Sequence, residues 1–353
     1  MKMEMPLVSV VIVNFNGKKY LESCINSVLN CDYLNLEIIV VDNGSHDGSV
    51  ELLEVISMSD SRIKFLKNEI NMGPSVARNQ GIREARGEYL AFLDNDTTVH
   101  PLWLGEALKI FNSDQLIGAC QCKLLLLNSD TRLACDKFDY IGDYLSPYGF
   151  LVQKAEEGQV DSGQFDQISE IFAVKSAGMI VKAKVLEEVG LFDEDYFIYV
   201  EETDLCWRIW LSGYKVLFIP YSKVYHAFAV SSKLKSPFVK YLSKYHGTKN
   251  HIITLIKNIG SQDLIKILPI HLTLWFGIFT WHVLNRKINE ARWIIGGIVW
   301  CLRNARSIWM KRQFVQHQLR RVPDEMIMPK IMKKRSIRYF YGKLTHPNSG
   351  WRA

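Results

Sequence analysis

Asp94-Asn95-Asp96 sets two carboxylates two residues apart at the end of an apolar run, EYLAFLDND (88–96). Carboxylates so spaced at a strand end can both face a hard divalent cation. Mg²⁺ or Mn²⁺ held that way also takes phosphate oxygens of a substrate. A lone Asp-x-Asp also suits a turn, and it is the place directly after an apolar strand that argues for the metal. A second cluster, VEETDLCWR (Val200–Arg208), puts Glu201, Glu202 and Asp204 at the start of a helix marked by Leu205, Trp207, Ile209 and Trp210. Acids in a first turn oppose the positive end of the helix dipole, which explains one or two of them. Three within four residues, after the aromatic approach FDEDYFIYV, point to one poised as a general base for a hydroxyl nucleophile. His226 ends KVYH just beyond a strand. A lone His is commonly structural, but a neutral imidazole there would complete the metal site begun by Asp94 and Asp96.

The elements that must position these groups alternate. LVSVVIVNF (Leu7–Phe15), LEIIVVD (36–42), RIKFLKN (62–68) and EYLAFLDND read as strands, the first two as buried parallel ones. Helices are expected over 18–30, Val50–Ser57, Pro74–Ala85 and Pro101–Phe111, the last with Pro near its first turn. Such alternation builds βαβ units, hence an α/β fold with a mainly parallel sheet flanked by helices. Ligands then lie beyond the carboxyl ends of the strands. That is where Asn14 and Asn16, Asp42, and the Asp94–Asp96 triplet fall. Residues 120–175 read as mixed and loop-rich, and 178–220 return to helix, helix and a short strand, KVLFIP.

Charge divides the chain of 353 residues. Residues 1–230 carry 20 Lys+Arg and 33 Asp+Glu, residues 231–353 carry 23 and 4, nets of −13 and +19. A boundary near 230 follows, with a basic region that calls for an anionic partner. Within it, Ile267–Asn285 holds 19 residues without Asp, Glu, Lys or Arg, long enough to span a bilayer. His271, His282, two Thr and Pro269 dilute it, and the 13 Lys+Arg from Leu302 onward resist a single crossing by the positive-inside rule. In-plane or re-entrant helices held at an anionic membrane surface are the expectation, with a buried helical hairpin as the alternative. No nucleic-acid-binding motif accompanies the charge. Seven scattered Cys fit no disulfide framework, which suggests a reducing cytoplasmic setting, and the opening MKMEMP does not read as a signal peptide.

VSVVIVNFNG, VDNGSHDGS, NMGPSVARNQGI, LDNDTTV, SAGMIVKAKVLEEVGLFDEDYFIYVEETDLCWRIWLSGYKVLFIP and KVYH occur in the order seen in family 2 glycosyltransferases. The resemblance covers roughly residues 5–230 and is nearest to the rhamnosyltransferase-like branch. It implies the GT-A (nucleotide-diphospho-sugar transferase) fold over 1–230, followed by a helical, membrane-associating region over 231–353. It also implies inverting, metal-dependent transfer of a sugar from a nucleoside diphosphate, with the branch pointing to a dTDP- or UDP-linked donor. Carried over by position, Asp42 would bind the base, with Asn14 and Asn16 lining its pocket. Asn71, Gly73 and Arg78 would border the nucleotide and its phosphates. Asp94 and Asp96 would be the DxD, Asp96 the more direct metal ligand and His226 a further one. Gly178 would let donor or acceptor approach the backbone. Glu202 aligns with the catalytic carboxylate of a motif usually written Glu-Asp-x-Asp and here Glu-Glu-Thr-Asp, leaving Glu201 and Asp204 as alternative bases.

Processive synthases of the same family carry Gln-x-x-Arg-Trp and several long membrane helices. Gln318-Leu319-Arg320-Arg321 lacks the Trp, so transfer of one sugar, rhamnose-like or another hexose, is expected. The basic region suggests a lipid-linked glycan or cell-surface polysaccharide precursor as acceptor. A catalytically silent nucleotide-sugar-binding module that scaffolds glycan assembly is the alternative. VNFNGKKY is a poor match to the Gly-rich loop of nucleotidyltransferases, and no Gly-x-Gly-x-x-Gly follows the first strand as a dinucleotide site needs.

Overall fold

VSVVIVN, LEIIVVDN and YLAFLD are apolar at nearly every position, so both faces of these strands must be covered. The computed structural model describes residues 5–127, 134–227, 237–336 and 339–340. Its first half alternates as read: β1 (Val8–Asn14), α1 (Lys18–Leu29), β2 (Leu36–Asn43), α2 (Ser49–Ser59), β3 (Ile63–Asn68), α3 (Pro74–Glu84), β4 (Tyr89–Asp94), β5 (Thr97–Val99) and α4 (Trp103–Ser113). There follow β6 (Ile117–Leu127), β7 (Ala134–Tyr140), β8 (Asp143–Leu145), β9 (Leu151–Gln153), β10 (Ser169–Glu170), β11 (Met179–Lys182), α5 (Ala183–Val189), α6 (Glu201–Leu211) and β12 (Lys215–His226). The main sheet runs β10-β12-β6-β11-β4-β1-β2-β3. β3, β2, β1 and β4 are parallel, β11 lies antiparallel between β4 and β6, and β12 is parallel to β6. Registers align the polar ends: Asn14 pairs with Asp42, Val13 with Asp94, and His226 with Thr97.

The stretch read as loop-rich instead contains β6, eleven residues long and buried over its first nine. Gln121 and Lys123 break its apolar pattern, which hides the strand from a periodicity reading. They are buried because they are paired. Lys123 Nζ donates to Asp161 at 2.7 Å and to Asp166, and the Gln121 side chain accepts from the Lys175 amide at 2.7 Å. KVLFIP likewise extends to His226, with a register shift between Ile219 and Lys223 around Pro220, a residue that cannot donate to a ladder.

The basic region is helical: α7 (Pro237–Tyr241), α8 (Gly247–Asn258), α9 (Ser261–Leu284), α10 (Ile288–Arg303), α11 (Ala305–Gln313) and α12 (Asp324–Ile331). The expected boundary at 230 lies outside the described residues. Beyond it, α8 is buried along almost its whole length, as is α6, and the two pack together. α9 is long and apolar enough to cross a membrane, with mean hydropathy 1.5 over 18 residues, yet only 28% of that window is buried. The His residues that dilute its sequence face inward with Ile267, Trp275 and Ile278. His271 is fully satisfied: Trp275 Nε1 donates to its Nε2 at 2.9 Å, and its Nδ1 donates to the Tyr148 carbonyl at 2.9 Å.

Candidate active site at the carboxyl edge of the sheet

Because β5 turns back against the end of β12, His226 comes to lie beside Asp96, and the Ala227 amide donates to the Asp96 carbonyl at 2.9 Å. One ligand atom from each of Asp94, Asp96 and His226 falls within 4.8 Å of the others. Two carboxylates and an imidazole suit a divalent cation of the Mg²⁺/Mn²⁺ class. The imidazole is held at both nitrogens, Nε2 at 3.0 Å from Asp96 and Nδ1 at 2.9 Å from Asp139. Burial alone would lower the His226 pKa, but the Asp96 and Asp139 carboxylates overcome it and push it up to about 10. A carboxylate behind a His turns the other ring nitrogen toward a metal, so the donor set fits a bound cation. Asp139 itself is buried and paired with Lys175 Nζ at 3.0 Å.

On the other side of Asp94 stands Arg78, 5% exposed. Its guanidinium lies 3.7 Å from Asp94 Oδ1, 2.7 Å from Glu201 Oε1 and 3.6 Å from Glu202 Oε1, and it donates to Ser176 Oγ. The resemblance placed Arg78 along the phosphates. The structure makes it the cation shared by three carboxylates. Glu202 Oε1 also accepts from the Ser176 amide at 3.1 Å. The three acids of α6 therefore differ in setting. Glu202 keeps 13% of its side chain open. Glu201 is buried against Arg78, and burial next to Glu202 pushes its carboxyl up to about 8. Asp204 is not brought to the cleft: it is fully buried, accepting from Asn258 at 2.8 Å, Arg208 at 3.1 Å and Tyr196 at 3.2 Å, with Lys257 Nζ at 2.9 Å.

The chain enters α6 through a strained turn. Phe197, Tyr199 and Val200 have φ of 61°, 70° and 69°, a left-handed conformation that a β-branched residue rarely adopts. Each such residue costs on the order of 1–3 kcal/mol and persists where surroundings dictate it. Here the dictating group is Asn250 of α8. Its Nδ2 lies 3.0, 2.8 and 2.7 Å from the carbonyls of Tyr196, Ile198 and Tyr199. A residue of the basic region thus fixes the turn that delivers Glu202.

The expected nucleotide side gathers at the ends of β1 and β2. Asn14 is buried, donating to Asp42 at 2.7 Å and accepting from Asn95 at 2.7 Å. Asp42 is buried too, with its other oxygen on the Ser45 amide at 2.9 Å. Asn16 is exposed, its side chain accepting from the His46 amide at 2.8 Å. Asn71 accepts from Asn43 and from the Gly73 amide, both at 2.9 Å, which shapes the loop before α3. At Gly73, with φ of +83°, a Cβ would lie 2.6 Å from the Phe197 ring. At Gly178, with φ of +100°, a Cβ would meet Leu124 and Cys122. Protein atoms lie close at both positions.

Sequence reasoning missed Asp139, Ser176, Lys175 and Asn250. Ser176 had a signal in the SAG segment. Asp139 had none, since it lies in the stretch where strand periodicity is broken.

Among known proteins, the sequence model of glycosyl transferase family group 2 matches residues 89–346, and that of glycosyl transferase family 2 matches residues 9–124. An uncharacterized glycosyltransferase of Haemophilus influenzae is 43% identical over 94 residues, 27% of this chain and 38% of that protein, so the match spans little more than a third of the relative's length. The fold is similar to that of GalNAc-T7 with UDP, GalNAc and Mn²⁺ (TM-score 0.60, 17% identity, 90% of this chain and 59% of that one). It is also similar to the mannosyltransferase PcManGT from Pyrobaculum calidifontis in complex with GDP-Man and Mn²⁺ (TM-score 0.53, 16% identity, 89% and 86%). These likenesses establish the GT-A fold.

Proposed function

The chain belongs to glycosyl transferase family group 2, and on that premise we propose that it is an inverting, metal-dependent glycosyltransferase. It moves one sugar, rhamnose-like or another hexose, from a UDP- or dTDP-linked donor to an acceptor hydroxyl on a lipid-linked glycan or polysaccharide precursor. It works at the cytoplasmic face of the membrane. The observation that carries the reading is the convergence of Asp94, Asp96 and His226 within 4.8 Å.

A divalent ion held by these three residues would supply charge neutralisation at the diphosphate leaving group, commonly worth several kcal/mol. Asp139 keeps the His226 ring turned toward that position. Glu202, the acid of its trio open to the cleft, removes the acceptor proton as the hydroxyl attacks from the face opposite the leaving group, and inversion follows. Its carboxylate is located by the Ser176 amide and Arg78. The remaining carboxylates of α6 serve it indirectly. Glu201 anchors Arg78, and Asp204 anchors the helix. The alignment of Asn14, Asp42 and Asn95 supports a donor nucleotide lying along the carboxyl ends of β1, β2 and β4.

A screen of nucleotide sugars with Mn²⁺ tests this by release of nucleoside diphosphate. Glu202→Gln should lose about 10²–10⁴ in transfer while still binding the donor. Near-normal turnover of that variant would remove Glu202 as base. Donor binding without metal-dependent release from any sugar would favour the silent module instead.

A further inference from the structure

The cations of the basic region form two sets. Lys257, Lys311 and Arg320 face inward, and with the more exposed Arg321 and Lys330 each lies within ion-pair distance of a carboxylate. Arg286, Arg292, Arg303 and Arg306 point outward from α10, α11 and the turn before them, and among the described residues none has an acidic partner. Large apolar side chains of the neighbouring helices are exposed as well, Phe276 of α9 (62% exposed), Leu302 of α10 (72%) and Trp309 of α11 (56%) among them. Leu302 and Trp309 belong to one apolar surface, and such a surface near charge marks an interaction site.

That surface is not flat. Residues of α8, α9, α10 and α11 enclose a groove of about 330 Å³ lined wholly by apolar residues. Ile252, Cys301 and Ile308 line it, and Leu272, Leu302 and Trp309 are its exposed members. The volume is that of a small-ligand site. A sugar or nucleotide would find no hydrogen-bond partner there and would be desolvated without compensation. A hydrocarbon chain needs none. Arg303 and Arg306 neighbour Leu302 and Ala305 of the lining, where an anionic headgroup would complement them. The groove also backs the active site. Ile252, Cys301 and Ile308 share one apolar cluster with Tyr196 and Val200, the residues bracketing the strained turn before Glu201.

We propose that this groove takes one aliphatic chain of an anionic membrane lipid, with Arg303 and Arg306 meeting the headgroup phosphate. The proposal rests on the membrane-facing, lipid-acceptor reading above and adds the site where the lipid lies.

The test sediments the full-length protein with vesicles of phosphatidylcholine alone or with about one-third phosphatidylglycerol, some lipids brominated along the acyl chain. Binding should require the anionic lipid. Leu302→Asp, an exposed position whose thermal melt checks folding, should weaken binding at least tenfold and leave Mn²⁺-dependent release of nucleoside diphosphate unchanged. Arg303→Ala with Arg306→Ala should weaken it by about tenfold or more. Bromine should quench fluorescence in the intact protein more than in Trp309→Phe. Binding that is unaffected by Leu302→Asp, or quenching that persists in full without Trp309, overturns the proposal. Loss of self-association in Leu302→Asp with no vesicle binding gives the groove to a second copy and also overturns it. The two readings fail separately. Equal transfer to water-soluble and lipid-linked acceptors by a protein that binds vesicles through Leu302 sinks the lipid acceptor alone. Transfer to a lipid-linked acceptor untouched by Leu302→Asp, with vesicle binding likewise untouched, sinks the groove alone.

Discussion

Two clusters of carboxylates flank the start of α6, and they resolve the same electrostatic problem in opposite ways. On the side of the basic region, Asp193, Asp195 and Asp204 meet Lys257, Lys311 and Arg208 at 2.5 to 3.1 Å, and Asn258 and Tyr196 supply further donors to Asp204. Every acid there has a cation from the chain itself. On the cleft side, Asp94, Asp96, Glu201 and Glu202 share Arg78 and His226, and Lys175 is engaged with Asp139. The chain leaves that cluster short of positive charge. Residue type is the same in both, so identity alone does not separate a structural acid from a functional one. What separates them is whether the fold brings fixed cations to meet the acids or leaves a place for a mobile one.

Breaking the closed cluster should produce the largest change in stability. Asp204→Ala removes a fully buried anion from two cations and should cost about 3–5 kcal/mol in denaturant unfolding. A loss under 1 kcal/mol would mean the cluster does not hold the basic region to the body. The open cluster should respond in affinity rather than stability. Asp139→Asn frees the His226 ring, and Mn²⁺ affinity by titration calorimetry should fall about 10–100-fold. Unchanged affinity would show that the imidazole needs no support. The smallest expected effect is in acid. Burial works against ionisation of Asp193 and Asp204, but their lysine and arginine partners hold both below the usual carboxylate range. A depressed carboxyl contributes stability above its unfolded value, near 3.9, and loses it as pH falls through its folded value. The melting temperature should therefore drop below about pH 4, and Asp204→Asn should flatten that limb. An equally steep limb in the variant would place the acid sensitivity elsewhere.

The parallel half of the molecule was legible because β1, β2 and β4 are uniformly apolar and end at turn residues. Period and punctuation agree there, and the polar ends fall level once the strands pair. Asp94 and Asp96 fall at the end of one such strand, and His226 reaches them at the end of another. Strand β6 was not legible, since Gln121 and Lys123 read as surface residues until their partners 38 to 54 positions away are seen. The basic region was read by charge as reaching outward. Its inner lysines, Lys257 and Lys311, instead turn toward acids of the body.

The sequence by itself determined the parallel strands β1 to β4, the acids at their ends and the excess of cations after residue 230, because local period and composition suffice for each. Only tertiary structure decided which acids are paired, since pairing depends on contacts such as Asp139 with His226 and Asn250 with the turn before Glu201, separated by 51 to 87 positions. A buried charge takes its role from its neighbours in space, and chain order does not encode them locally.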